Sequence, residues 1–342
     1  MPVVMFGHTD KNILLQHGIT ELLQLAQRRG GQLHKLLSGT HIFEPDLHKP
    51  LSRCNHRDWL SLISRCQQLH SPELPFVLAN SILNNRTIAL CQSLFVCANL
   101  AGSLRQLLYF RHQLLPVIYP IVQQHGDTLT LQLKPAISLG TQQHFVVTLA
   151  IAFIIQLIKQ QLGTCHELKV QLTQDCPAFL AHFSGHWPCQ LSFNQHVDAI
   201  HIPRSLWYQL FAGRDQQQLS QLTRSCYQLN KVLPNQRGVL EVLQRRIRRA
   251  LPQLLSLDAA AGALGISGSS LKRLLQQHNT NFAALSDTVR RDTARLLLLQ
   301  GQLSNRQLAI ELGYSDEHNF RRAFKRWTGQ VPSQFKNLPN PL

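Results

Sequence analysis

The sequence predicts a mixed fold in two parts: a helix-rich α+β domain, then an all-α domain of two helix-turn-helix units joined by a long helix. Three observations predict it. A seven-residue pattern recurs 48 residues apart, Ala261–Ser267 and Ala309–Ser315, both reading A-x-x-L-G-(apolar)-S. The residues after each copy place apolar side chains at the spacing of an amphipathic helix. Between residues 128 and 203 the period falls to two, in short runs bounded by turn residues. At 342 residues the chain is long enough for two domains, expected at 1–229 and 239–342 with a linker over 230–238.

The first 125 residues read mainly as helix, over Asn12–Gly30, His56–Leu69 and Thr87–Val122. Thr128–Pro135, "TLTLQLKP", alternates as a half-buried strand. His144–Gln161 follows as a long apolar helix. Its apolar core, Phe145–Ile158, is shorter than the ~20 residues a membrane span needs and is broken by Thr148 and Gln156, so a buried core helix and no membrane are expected. Three short strands come next, in "LKVQLT", "CQLSFN" and "AIHIP". Helices followed by mixed strands and helices make an α+β or α/β domain. Gln216–Gly238 is polar and Gln-rich, and its Pro-Asn-Gln-Arg-Gly end reads as the linker.

Each repeat copy has a physical logic. A small Ala lets two helices approach, Leu fills the space between them, Gly supplies positive φ for a tight turn, and Ser caps the next helix. The next helix in the first copy has Leu271, Leu274 and Leu275 as its stripe, with Lys272, Arg273 and Gln276 off it. In the second, Phe320, Ala323, Phe324 and Trp327 form the stripe, with His318, Arg321, Arg322, Lys325 and Arg326 off it; Gly329 and Pro332 stop the helix. One such helix fits a solvated basic surface equally well. Two copies, each leading into a basic helix, point to paired helix-turn-helix units whose second helices enter a DNA major groove.

On that reading the recognition helices are Gly268–Gln277 and Asp316–Trp327. Base-edge candidates are Ser269, Lys272, Arg273, Glu317, His318, Arg321 and Arg322, because Arg pairs with guanine, Glu accepts from cytosine N4 and His does either. Arg306, Lys325 and Arg326 suit phosphates. The helix between, Ala283–Leu299, spans about 25 Å at ~1.5 Å per residue, of the order needed to reach successive grooves about 34 Å apart.

Charge agrees. The net charge is +16, and half of it falls on the 102 residues from Glu241 onward, where 15 Lys/Arg face 7 Asp/Glu. A basic surface gains affinity for DNA by releasing counterions. The eight cysteines include no CxxC, and the start of the chain lacks a charged segment ahead of an apolar one. Reduced thiols and a cytoplasmic protein are expected. Cys165, His166, Cys176, His182, His186 and Cys189 crowd 25 residues, but "HFSGHWPCQLSFN" reads as a loop entering a strand, so no metal site and no cofactor are expected. No paired carboxylates or phosphate-cradling glycine loop suggests an enzyme.

Ala309–Phe335 closely resembles the signature of the AraC/XylS transcriptional regulators, through Ala309, Leu312-Gly313-Tyr314-Ser315, Phe320, Arg322-Ala323-Phe324-Lys325-Arg326, Gly329, Pro332 and Phe335. Leu271, Arg273 and "HNTNF" fit its first half. Gly268 departs from it, standing where a helix former is usual. Ser103–Pro116 and Cys189–Trp207 resemble the arabinose-binding-like N-terminal domain of one branch. The resemblance implies a regulator that binds promoter or operator DNA, senses a small effector, forms a homodimer and meets RNA polymerase. The alternative is the same DNA-binding module fused to a catalytic domain of thiol-transfer or other type. Its thiol candidate, "PCQ" at Pro188–Gln190, lacks the following histidine.

Overall fold

The computed structural model describes residues 5–69, 72–233, 237–301 and 303–336. Its contacts divide into two compact units, Phe6–Gln236 and Arg237–Leu342 with Met1–Met5. After the short strand β1 (Met5–Phe6), strand β2 (Lys11–Leu14) leads into α1 (Thr20–Arg28) and α2 (Leu33–Leu37). Strand β3 (Arg53–Asn55) pairs antiparallel with β2. Four helices follow: α3 (His56–Leu69), α4 (Leu74–Leu83), α5 (Ala89–Val96) and α6 (Leu100–Phe110).

The sheet then begins earlier than the sequence suggests. Ile118–His125, expected as the end of a helical stretch, is strand β4, paired along its length with β5 (Thr128–Pro135). Its side chains alternate, and Gly126 at φ +54° turns the hairpin. Pro120 is tolerated because β4 is an edge strand. Helix α7 (Gln143–Leu162) follows, then β6 (Lys169–Gln171), α8 (Leu180–His186), β7 (Gln190–Ser192) and β8 (Ala199–Pro203). The sheet order is β4-β5-β8-β6-β7, antiparallel except for the β6–β7 pair that α8 bridges.

Helix α7 is apolar all round, the mark of a helix enclosed on every side. By length and composition it matches a membrane span, yet 67% of its most apolar stretch is buried within the protein. It packs on α4, which is equally apolar. Gly163, at φ +74°, ends it in the left-handed conformation.

Two further expectations change. Leu180–His186 is a helix, not a loop, so His182 and His186 do share a helical spacing. They are used otherwise: His182 Nδ1 lies 2.9 Å from Glu73 Oε1, and the His186 ring stacks on Phe76 at 4.6 Å. Among the described residues no three His, Cys, Asp or Glu are placed to hold a metal ion. The polar Gln-rich stretch is also more ordered than a linker: α9 (Gln216–Val232), capped by Asp215 on Gln218 N–H at 2.9 Å, takes in residues 230–232 and packs on α5. Linker residues 234–236 lie outside the described residues.

The second unit holds the short strand β9 (Arg237–Gly238) and helices α10 (Val239–Ala250), α11 (Leu257–Gly262), α12 (Gly268–Gln277), α13 (Phe282–Gln300), α14 (Asn305–Glu311), α15 (Glu317–Thr328) and α16 (Pro332–Lys336). One core joins Ala294 and Leu298 of α13 to Leu308, Ala309, Phe320, Phe324 and Phe335.

The sheet carries a buried titratable group. His201 of β8 is 4% exposed, and its Nδ1 lies 2.9 Å from Thr130 Oγ1 of β5. Burial pushes its pKa from 6.5 down to about 4. Between those values the unfolded chain takes the proton and the folded chain refuses it. Stability is therefore lost as pH falls through that window, by an amount on the order of 3 kcal/mol. Burial lowers His17 and His186 in the same direction. Urea melts of the full chain from pH 7 to 4 should show this fall, and His201→Gln should flatten it; an unchanged slope would contradict a neutral buried imidazole.

Candidate nucleic-acid interface

The two repeat copies form the same turn. Ile266 N–H donates to Ala261 O at 3.1 Å and Gly265 N–H to Gly262 O at 3.0 Å. Tyr314 N–H donates to Ala309 O at 2.9 Å and Gly313 N–H to Ile310 O at 3.0 Å. This pair of bonds satisfies the last carbonyls of α11 and of α14 and requires a left-handed residue between the helices. Gly265 and Gly313 supply it at φ +71° and +74°. Ala261 and Ala309 are buried, as close helix approach demands. Leu312 is fully buried, whereas Leu264 is only half-buried.

The copies differ at the cap. Ser267 caps α12, its Oγ accepting from Ser270 N–H at 3.1 Å. Ser315 does not cap α15 as its place in the repeat suggests. Asp316 does, accepting from Asn319 N–H at 2.7 Å, while Ser315 Oγ donates to Asp316 Oδ2 at 3.0 Å. The second turn is thus one residue longer, and a carboxylate at the positive end of the helix dipole outcompetes a hydroxyl. Asn319 is spent here, its amide donating to Asp316 Oδ2 at 2.7 Å. Gly268, the departure from the family pattern, also has a reason: a β-carbon there would sit 2.3 Å from Asp258 Oδ1 and 3.0 Å from Leu257 Cδ2.

Beyond the caps, both helices bury one face. Leu271 and Leu275 of α12, and Phe320, Ala323 and Phe324 of α15, are buried. The opposite faces are exposed and cationic. Ser269, Lys272 and Arg273 are exposed on α12, and Glu317, His318, Arg321, Arg322, Lys325 and Arg326 on α15; Arg306 is exposed on α14. Ser269 Oγ shares a hydrogen bond with Ser267 Oγ at 2.9 Å. Arg326 Nη2 donates to Asp287 Oδ2 of α13 at 3.0 Å. Among the described residues, Lys272, Arg273, Arg306, Arg321, Arg322 and Lys325 form no ion pair within the protein. Arg290 was not legible in the sequence: it lies on α13 with its guanidinium 5.2 Å from the centre of the Tyr314 ring, beside the second turn.

The first unit contains a partly open cavity between α6, α7 and the β4–β5 hairpin, with Ile82 of α4 also lining it. Fourteen of its fifteen lining residues are apolar; the other is Arg111. The thiol of Cys189, the candidate in "PCQ", is not activated. Burial, with Cys165 nearby adding to it, pushes Cys189 up to about 12, the opposite of an activated nucleophile.

The two turn glycines predict an asymmetry. At Gly265 a β-carbon meets nothing within 4 Å, so Gly265→Ala should cost only the left-handed backbone, ~1–2 kcal/mol. At Gly313 the same atom would lie 2.3 Å from Pro252 O and 2.8 Å from Leu254 Cδ2. Gly313→Ala should cost clearly more, and Gly313→Val more again, since β-branched residues resist positive φ. Thermal melts of the variants check this; equal losses at Gly265 and Gly313 would contradict the close approach of Pro252.

Known proteins supply the comparison. The family described as the arabinose-binding domain of AraC transcription regulators, N-terminal, matches residues 30–210, and a helix-turn-helix domain family matches residues 260–337. The chain is 25% identical over 321 residues to the ornithine utilization regulator of Pseudomonas aeruginosa, covering 93% of this chain and 94% of that one. It is 30% identical over 119 residues to the transcriptional regulator VqsM of the same organism, covering 34% and 37%. Among solved structures, the transcriptional regulator CdpR from Pseudomonas aeruginosa aligns over 95% of this chain and 99% of its own, at 17% identity and a TM-score of 0.46. With one family model spanning more than half of its length and a second matching its basic tail, the chain belongs to the AraC family of DNA-binding transcription regulators.

Proposed function

We propose that the C-terminal unit reads DNA through two helix-turn-helix units, α11–α12 and α14–α15, with α13 as the strut between them. The observation that carries this reading is the repeated glycine turn. Each copy delivers a basic helix whose exposed face bears cations, Lys272 and Arg273 in the first and Arg321, Arg322 and Lys325 in the second, that form no ion pair among the described residues. The 19 residues of α13 span about 28 Å at ~1.5 Å each, of the order of the ~34 Å between successive major grooves. Ser269, Lys272 and Arg273 then approach base edges from α12, and Glu317, His318, Arg321 and Arg322 from α15. Arg306, Lys325 and Arg326 hold phosphates. Arg326 first exchanges Asp287 for the backbone, a small cost because so exposed an ion pair contributes only ~0–1 kcal/mol.

The N-terminal unit, in this proposal, binds a small effector in its cavity and pairs with a second copy, and the DNA-bound protein acts on RNA polymerase. One relative is named for ornithine utilization. The cavity here has no acidic lining residue to meet ornithine's two ammonium groups, so the proposal does not extend to ornithine.

Selection of preferred duplexes from a random library with the full-length protein, followed by binding of variants, tests the DNA reading. Arg273→Ala and Arg321→Ala should each relax preference at one base pair and cost ~1–3 kcal/mol on the selected duplex. Lys325→Ala should weaken all duplexes alike and reduce the slope of log affinity against log salt by about one. A loss from Arg321→Ala that is the same on every sequence would overturn its base-reading role.

A further inference from the structure

We infer that Arg246 positions the first helix-turn-helix unit against the second, and so narrows the half-site spacing that one chain accepts. The inference rests on the DNA reading above and adds to it a residue that acts through the protein rather than on DNA. Helix α10 buries Val239, Leu240, Leu243 and Ile247, a stripe at helical spacing, and packs on the strut α13. Its end meets both glycine turns. Arg246 Nη2 donates to the carbonyl of Ala263 at 3.0 Å. Ala263 closes α11, two positions ahead of Gly265. Six residues beyond Arg246, the Pro252 carbonyl oxygen crowds Gly313, and Leu254 Cδ2 lies 2.8 Å from where the β-carbon of that glycine would be. Leu251 packs on the core around the second turn. Residues 246–254 therefore hold the first turn by a hydrogen bond and the second by close packing.

The two contacts are unequal. At Gly313 backbone meets backbone, and neither side yields without moving the connection. At Gly265 nothing lies within 4 Å of a β-carbon, so the Arg246 bond stands where close packing stands in the second copy. The bond also has a local cause. The turn amides of Gly265 and Ile266 go to Gly262 and Ala261, which leaves the Ala263 carbonyl for a side chain, and a cation suits a helix C-terminus. Arg246 is half-buried and forms no ion pair among the described residues. Helix α13 sets the distance between the units, and Arg246 limits how far the first can turn about it. One base pair added between half-sites moves them apart by roughly 3.4 Å and turns one against the other by roughly 35°. A braced pair of units cannot follow that turn, and a loosened pair follows part of it.

The test is binding of the full-length protein to its selected duplex and to two derivatives, with one base pair inserted or removed between the half-sites that one chain reads. Wild type should lose about tenfold or more on both derivatives, because one unit then misses its base contacts. Arg246→Gln removes one partly exposed hydrogen bond and no buried apolar contact, so the fold is retained. It should stay within about threefold of wild type on the selected duplex and shrink the penalty on the derivatives by about threefold or more. Arg246→Lys, whose ammonium still donates to the carbonyl, should keep the wild-type penalty. Arg249→Gln removes the same charge from the exposed side of α10 and should leave the ratio between duplexes unchanged. A penalty as large in Arg246→Gln as in wild type, or one reduced equally by Arg249→Gln, would overturn the inference and leave the DNA reading standing. No spacing penalty in wild type would overturn the DNA reading and the inference with it.

Discussion

The carbonyl oxygen of Pro252 lies 2.3 Å from where a β-carbon on Gly313 would be, and the packing of the second turn depends on that close approach. Gly313 does two jobs at once. Its positive φ closes the turn between α14 and α15, and its missing side chain lets the α10–α11 connection sit against that turn. Gly265 does only the first, since nothing crowds it. The shared glycine therefore has one cause in the first copy and two in the second. Around the second turn the core gathers Leu308, Leu312, Phe320, Phe324 and Phe335. Arg295 is folded into it, its guanidinium 5.3 Å from the centre of the Phe335 ring. Burial holds that guanidinium down to about 10, still charged at neutral pH.

The cations of this unit fall into two groups with different work. Arg295 is buried within the unit, and Arg245 bonds the buried carboxylate of Glu241 at 3.0 Å. Arg295 is enclosed in the core, and Arg245 is tied to Glu241 although its side chain is partly exposed. Arg321, Arg322 and Lys325 lie outside any ion pair among the described residues and are exposed on one helix face. Like charges crowded on one face repel each other and are balanced when a polyanion meets them. This division, more than the total charge, is what the proposed DNA-reading role of α15 rests on.

Much of this was legible in the sequence. The repeat located both turns, and period-3.6 spacing located α12 and α15, because those signals are local; α13 followed as the bridge between them. What failed depended on context. Ile118–His125 follows Pro116, a break that the helical reading passed over, and its strand character is completed by pairing with Thr128–Pro135. His182 and His186 resembled metal ligands by type, but Glu73 and Phe76, more than 100 residues away, engage them. Ser315 lost its expected cap to Asp316 because a one-residue slip is allowed when the neighbour is a carboxylate. Arg290 could not be found at all from sequence, since its relation to Tyr314 exists only once α13 and the second turn are packed. The cavity likewise gathers α6, α7 and a hairpin whose apolar residues each look like ordinary core.

The central claim is that one chain sets two helices on one face of the duplex. Hydroxyl-radical footprinting of the full-length protein on its selected duplex measures this directly. The account predicts two protected patches on the same face, about one helical turn, ~10 base pairs, apart for each bound chain. A single protected patch per chain, or protection running around the whole duplex, would contradict it.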